Sequence, residues 1–242
     1  MTENQDNKKY KNVAVILAGG TGSRLGGEIP KQFLKICGKT VIEYSLDAFE
    51  RNENIDEIAV VVHSDYISRM NEIVSCGKWT KVKKILQGGS ERYLSSISAI
   101  EAYGNEPETR LIFHDAARPL VSNRIIDDVA AALLNHDAVC VAVPSADTIF
   151  QVNSAGELLV SIPDRKFLRR AQTPQAFKLS VVRNAYNMAL KDPDFVCTDD
   201  CGTVIRYMPE TPIFVVNGEN KNLKLTYKED IYLIERFLQI SK

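Results

Sequence analysis

The sequence predicts an α/β fold: a mostly parallel, Rossmann-like sheet with helices on both faces and a protruding β-hairpin arm. Three observations predict it. Short runs that are apolar throughout alternate with segments whose apolar residues recur at helical spacing, the pattern of strands buried on both faces between crossover helices. A glycine-rich turn follows the first of these runs, and from about residue 145 to 170 the alternation breaks into short pieces around a turn.

Residues 13–17 (VAVIL) form the first strand-like run, and residues 41–49 place apolar side chains at helical spacing. Residues 58–62 (IAVVV) are the next strand, with a helix over 66–74. Strand, helix, strand, helix and strand continue over 82–86, 94–102, 111–113, 125–134 and 138–143. In the exceptional segment, Asn153-Ser154-Ala155-Gly156 supplies turn chemistry between short alternating pieces, which is a hairpin signature. Ile149, Phe150, Leu158, Leu159 and Val160 would leave apolar surface in water on such an arm, so dimerisation through it is expected.

Composition limits the function classes. With 242 residues, 45% hydrophobic and 25% charged, the chain has the ordinary globular balance and can bury a substantial core. No repeat, low-complexity tract or long linker divides it, so one domain is expected over residues 12–242, after a polar head, residues 1–11, too poor in apolar side chains to pack. The head lacks the features of a secretory signal, and no stretch reaches the roughly 18 uninterrupted apolar residues of a membrane span. A cytoplasmic protein with no membrane partner is expected. The net charge of −1 gives no general attraction to nucleic acid, so any grip on phosphate must come from locally placed cations. Cysteines 37, 76, 140, 197 and 201 are scattered; only Cys197 and Cys201 are close, and a structural zinc site asks for a second pair or for histidines.

The stretch from Val13 to Lys31, VAVILAGGTGSRLGGEIPK, carries the first functional signal. A strand that ends in glycines presents backbone N–H groups at the carboxyl edge of a parallel sheet, where anions bind. A dinucleotide fingerprint fails because Ser23, Arg24 and Leu25 follow Gly20-Thr21-Gly22, and a Walker loop fails because no Gly-Lys-Ser/Thr follows. What remains is a glycine loop with its own Arg24 and Lys31, two cations suited to a polyphosphate. Asp115, after the apolar run 110–113, is a carboxylate at a strand end; it could equally cap a turn or pair with Arg118.

LAGGTGSRLG followed by PKQF resembles the nucleoside-triphosphate loop of the sugar-nucleotide and polyol-phosphate nucleotidylyltransferases. The Pro30-Lys31-Gln32-Phe33 continuation narrows the resemblance to the cytidylyltransferases acting on 2-C-methyl-D-erythritol 4-phosphate or D-ribitol 5-phosphate. Further blocks match in order: Gly88-Gly89-Ser90-Glu91-Arg92 with Ser95, His114-Asp115-Ala116-Ala117-Arg118-Pro119, Asp147-Thr148, Asp164-Arg165, Gln172-Thr173-Pro174-Gln175 and Asn222-Leu223-Lys224-Leu225-Thr226. The resemblance covers essentially the whole chain after the head.

It implies a catalyst in which a polyol phosphate oxygen attacks the α-phosphorus of CTP and pyrophosphate leaves, with cations, Mg²⁺ and amide donors as the working parts. Arg24, Lys31 and Lys224 are the implied catalytic cations. Ala18, Gly19, Gly20, Gly22, Gly89, Ser90, Ser95 and Ala116 are implied to hold the nucleotide, with the cytosine met by Ala18, Gly89, Ser90 and Ser95. Ser90 departs from the pattern, since many relatives carry aspartate there. Ser95 also reads as a hydroxyl at a helix N-terminus. Asp115 is the implied Mg²⁺ ligand and, with Arg118, Thr148 and Arg165, faces the acceptor; Thr148 and Arg165 would reach into the neighbouring subunit of a homodimer. His114 reads as a packed strand-end residue, because the implied mechanism asks for no histidine.

The acceptor divides the motifs. Asp164-Arg165 and HDAARP look more like the methylerythritol-phosphate enzymes, whereas Ile162-Pro163, Ala146-Asp147-Thr148-Ile149 and Thr198-Asp199-Asp200-Cys201 look more like the ribitol-phosphate enzymes. The lean is to D-ribitol 5-phosphate and CDP-ribitol. A sugar 1-phosphate nucleotidyltransferase should lack PKQF and the Lys224 block, and a non-catalytic nucleotide-binding module would release no pyrophosphate.

Overall fold

The computed structural model describes residues 10–20 and 29–240. In chain order these form β1 (Lys11–Ala18), the short strands β2 (Lys35–Ile36) and β3 (Lys39–Thr40), α1 (Val41–Arg51), β4 (Glu57–Val62), α2 (Ile67–Cys76), β5 (Val82–Gln87) and α3 (Arg92–Ala102). There follow β6 (Thr109–Asp115), α4 (Asn123–Ala132), β7 (Ala138–Pro144), β8 (Gln151–Val152), β9 (Leu159–Ser161), β10 (Arg169–Lys178), α5 (Leu179–Ala189), α6 (Asp200–Tyr207), β11 (Ile213–Asn217) and α7 (Glu229–Ile240). The polar head expected over 1–11 lies largely outside the described residues.

The central sheet has seven strands in the order β11-β7-β10-β6-β1-β4-β5. All neighbours run parallel except β10, which is antiparallel to both β6 and β7. Because side chains alternate along a strand, β1 serves two cores at once. Ala14, Ile16 and Ala18 pack with Ile42, Leu46 and Phe49 of α1 and Ile125 and Val129 of α4. Val13, Val15 and Leu17 pack on the other face with Ala99 of α3 and Val182 and Tyr186 of α5. This two-sided burial explains why β1, β4 and β6 read as unbroken apolar runs.

Helix starts follow local chemistry. Glu43 Oε2 accepts from the Thr40 backbone N–H at 2.6 Å, which fixes the first turn of α1. Ser122 Oγ accepts from the Ile125 N–H at 3.3 Å at the start of α4, and Asp199 Oδ1 from the Gly202 N–H at 2.7 Å at the start of α6.

The hairpin is the long connection between antiparallel neighbours β7 and β10. Its base closes where the Ser145 N–H donates to Leu168 O at 3.1 Å. Its turn is held by Asn153 Oδ1, which accepts from the N–H groups of Glu157 and Leu158, and Gly156 takes a φ of +75° that favours glycine. The expected arm is slightly too long, because Arg169 and Arg170 already belong to β10. Phe150, Leu158 and Phe167 stand 60%, 66% and 78% exposed on it. No helix among the described residues is long and apolar enough to cross a membrane.

Candidate active site

The carboxyl ends of β1, β4, β5 and β6 open onto a cavity of about 500 Å³. One wall is backbone. Beyond β1 come Gly19 and Gly20, and beyond β5 the turn from Gly88 to Glu91 leads into α3. Ser95 in the first turn of α3 is buried between these two turns, so that a Cβ on Gly19 would lie 2.9 Å from its hydroxyl and one on Gly88 2.6 Å. Only glycine lets both backbones approach that oxygen. Ser95 is thus a first-turn hydroxyl and a cavity wall at the same time.

The PKQF segment closes the second wall. Buried Gln32 donates through Nε2 to Ala18 O at 2.7 Å and to Gly20 O at 3.1 Å, tying the segment to the glycine turn. Lys31 Nζ donates to Leu225 O at 3.0 Å and lines the cavity. The Lys224 block is in turn fastened to the segment after β6, where the Leu225 N–H donates to Ala117 O at 2.8 Å.

Among the described residues, three cations stand around Asp115, the last residue of β6. Lys224 Nζ is 2.7 Å from its Oδ2, Arg118 Nε is 3.7 Å from Oδ2, and Arg92 Nε is 3.7 Å from Oδ1. Burial by itself would raise the Asp115 carboxyl, but Lys224, Arg92 and Arg118 overcome it and hold the group well below the usual carboxylate range. Arg92 is anchored from behind: Nη1 donates to Asp200 Oδ2 at 2.6 Å. His114 is wholly buried, between Thr173 Oγ1 at 3.0 Å and Arg118 O at 3.1 Å. Burial pushes it down to about 4, so it is a neutral packed residue near neutral pH, as its strand-end position implied.

Of the expected site residues, Ala18, Gly19, Gly20, Lys31, Gly89, Ser90, Ser95, Asp115, Ala116 and Lys224 all line this cavity. Gly22 and Arg24 lie outside the described residues. Arg118 stands beside Asp115 and donates to Asn222 O at 2.8 Å. Thr148 and Arg165 sit on the arm and do not line the cavity; Arg165 Nη1 donates to Ala146 O at 3.0 Å. Arg92, Gln32 and His63 line it without having been given a role from sequence. Arg92 and Gln32 fall inside the motifs quoted above, which is the signal the sequence offers for them; His63 falls inside no motif and has none.

Glycine backbone and the cations Lys31, Arg92 and Lys224 at the carboxyl edge of a mostly parallel sheet form a pocket suited to a nucleotide and its phosphates, the site of a nucleotide-binding α/β protein. Comparison with known proteins narrows the class. Residues 12–240 match the model of the 2-C-methyl-D-erythritol 4-phosphate cytidylyltransferase family, IspD. Over 236 residues the chain is 42% identical to the 2-C-methyl-D-erythritol 4-phosphate cytidylyltransferase of Thermobifida fusca, covering 96% of this chain and 95% of that one. It is also 42% identical over 232 residues to the bifunctional ribulose 5-phosphate reductase/CDP-ribitol pyrophosphorylase Bcs1 of Haemophilus influenzae, covering 96% of this chain and 49% of that one. Among solved structures, 4-diphosphocytidyl-2C-methyl-D-erythritol synthase from Anaerococcus prevotii superposes with a TM-score of 0.83 at 26% identity, over 98% of this chain and 100% of that one. The chain belongs to the 2-C-methyl-D-erythritol 4-phosphate cytidylyltransferase (IspD) family and is a cytidylyltransferase.

Proposed function

We propose that the protein transfers CMP from CTP to 2-C-methyl-D-erythritol 4-phosphate, forming the CDP-polyol and pyrophosphate. The family match over residues 12–240 carries this choice of acceptor, against the lean to ribitol phosphate drawn from the arm and the α6 motif. D-ribitol 5-phosphate stays as the second reading, because the relative with CDP-ribitol pyrophosphorylase activity in its name is equally identical, at 42%.

In the proposed reaction an oxygen of the acceptor phosphate, already ionised at neutral pH, forms a bond to the α-phosphorus as the α–β bridging bond breaks and pyrophosphate departs. No general base is needed, which suits a buried neutral His114. Lys31 and Arg24 would hold the triphosphate and offset charge on the departing pyrophosphate, and Lys224 would move from Asp115 to the α-phosphate. Ala18, Gly89, Ser90 and Ser95 would meet the cytosine, Gly19, Gly20, Gly22 and Ala116 the rest of the nucleotide, and Arg118 the acceptor beside Asp115.

Mg²⁺ fits this donor set in one way. Among the described residues no three metal-ligating side chains converge, so the ion would draw most of its oxygens from the triphosphate and water, with Asp115 as protein ligand. When bound, it supplies neutralisation of charge on the phosphoryl oxygens. The arm would pair two chains and deliver Thr148 and Arg165 to the neighbouring acceptor site, which explains its exposed apolar surface.

Pyrophosphate release with CTP and Mg²⁺, run in parallel with the two acceptors at matched concentrations, tests the proposal. Preference for methylerythritol phosphate supports it, and preference for ribitol phosphate replaces it with the second reading.

A further inference from the structure

Arg92 opens α3 and lines the cavity, yet its guanidinium is bound by groups far away in sequence. Nη1 donates to Asp200 Oδ2 at 2.6 Å, while Nε stands 3.7 Å from Asp115 Oδ1, an ion-pair distance longer than a hydrogen bond. Asp200, the first residue of α6, has no exposed surface, and its other oxygen accepts from Tyr186 Oη on α5 at 2.7 Å. Three helices are therefore joined at the Asp200 carboxylate, which receives Arg92 of α3 on one oxygen and Tyr186 of α5 on the other.

Burying an aspartate–arginine pair carries a desolvation cost that is offset only when geometry is good and the remaining lone pairs are satisfied. Both Asp200 oxygens are satisfied here. A buried ion pair is by itself weak evidence of a stabilising role, since apolar residues of similar volume often serve stability as well, and this directs attention to what Arg92 does at its other edge, beside Asp115. Among the described residues Lys224 is the cation nearest Asp115, and it is also the one assigned above to the α-phosphate. A carboxylate that loses this partner during the reaction needs another anchor.

We propose that Asp200 is a positioning residue that, with Tyr186, locks the Arg92 guanidinium beside Asp115 and so keeps the Asp115 carboxylate in place when Lys224 turns to phosphate. Arginine suits this task because its planar fork serves two carboxylates at once, which a lysine ammonium on a flexible stem does not. The inference rests on the role given to Asp115 in the proposed function.

Steady-state kinetics on Asp200→Asn, Arg92→Gln, Arg92→Lys and the double variant Asp200→Asn/Arg92→Gln test it. Each single variant is expected to lose about thirtyfold in kcat with KM for CTP changed less than about threefold, and the double variant should be no slower than Arg92→Gln alone. Losses that multiply in the double variant, or a loss confined to KM for CTP, overturn the proposal. Tyr186→Phe keeps the ring volume and replaces Asp200→Asn if that variant does not fold; its kcat should fall in the same direction.

A second readout needs no turnover. The Arg92 Nε–Hε resonance, assigned by its loss in Arg92→Gln, should move in both Asp200→Asn and Asp115→Asn, and a resonance unmoved by either substitution overturns the proposal. If the unmodified protein releases pyrophosphate with neither acceptor, the functional reading fails, and this spectrum decides the positioning by itself.

Discussion

Asp115 shows how strongly neighbours can outweigh burial at a single residue. Its side chain is only 11% exposed, a setting that favours the neutral acid, yet Lys224 at 2.7 Å keeps it ionised. Lys31, Arg92 and Lys224 are the lysines and arginines that line the described part of the cavity, and Arg92 is held by Asp200. Lys31→Ala is expected to lower kcat by roughly 10²–10³-fold while leaving the circular dichroism spectrum unchanged; near-normal turnover would remove Lys31 from the mechanism. His114 gives a prediction of opposite kind. Its folded pKa, pushed down to about 4 by burial, lies below its ordinary value of 6.5, so the unfolded chain binds the extra proton first as pH falls. Stability should therefore drop with pH through the window between those values, by about 1.6 kcal/mol from pH 6.5 to 5 for this group. Urea unfolding at both pH values, compared with His114→Gln, isolates that share, and an identical pH slope in the variant would show that His114 does not cause it.

At the scale of elements, the parallel core was legible because strands buried on both faces carry consecutive apolar residues, as residues 13–17, 58–62 and 111–113 do. β10 was not. Its sequence RRAQTPQAFK is polar and contains a proline, which argues against an interior strand. Proline is tolerated where the register shifts, and here the shift falls between Gln172 and Gln175. The polar groups are used inside the fold: Gln172 Nε2 donates to Glu219 O at 2.8 Å and Gln175 Nε2 to Asp199 Oδ2 at 2.6 Å. Such partners lie 47 and 24 residues away, beyond any local pattern. The glycine turns allow a sharper test. Gly88→Ala would set a methyl 2.6 Å from Ser95 Oγ and 3.2 Å from Val61 Cγ1, so the hydroxyl must move out of the cavity wall. KM for CTP is expected to rise about tenfold with the fold intact. An unchanged KM would show that Ser95 does not touch the nucleotide.

For the whole molecule, the arm is the part with least reason to be stable alone. Its strands β8 and β9 form a separate two-stranded pair, with exposed Phe150, Leu158 and Phe167, and such a pair is marginal in water without a covering surface. If the arm joins two chains and lends Arg165 to the partner's site, mixing inactive Lys31→Ala with inactive Arg165→Ala should restore about a quarter of wild-type activity, since random pairing leaves half the dimers mixed and each of these has one intact site. Mixed dimers confirmed by mass spectrometry but without recovery would sink the shared site, and a monomer by sedimentation would sink the arm's role altogether.

By itself the sequence determined the α/β class, the alternation of strands and helices through β7, the position of the hairpin and the cytidylyltransferase family. These depend on local periodicity, turn chemistry and contiguous motifs, all written along the chain. Tertiary structure alone decided that β10 runs antiparallel into the middle of the sheet, that Gln32 clamps the glycine turn, and that Asp200 and Tyr186 stand behind Arg92. Each of these depends on a polar group finding its partner across many residues of chain, and burial makes such pairings obligatory without revealing from sequence which pairing it will be.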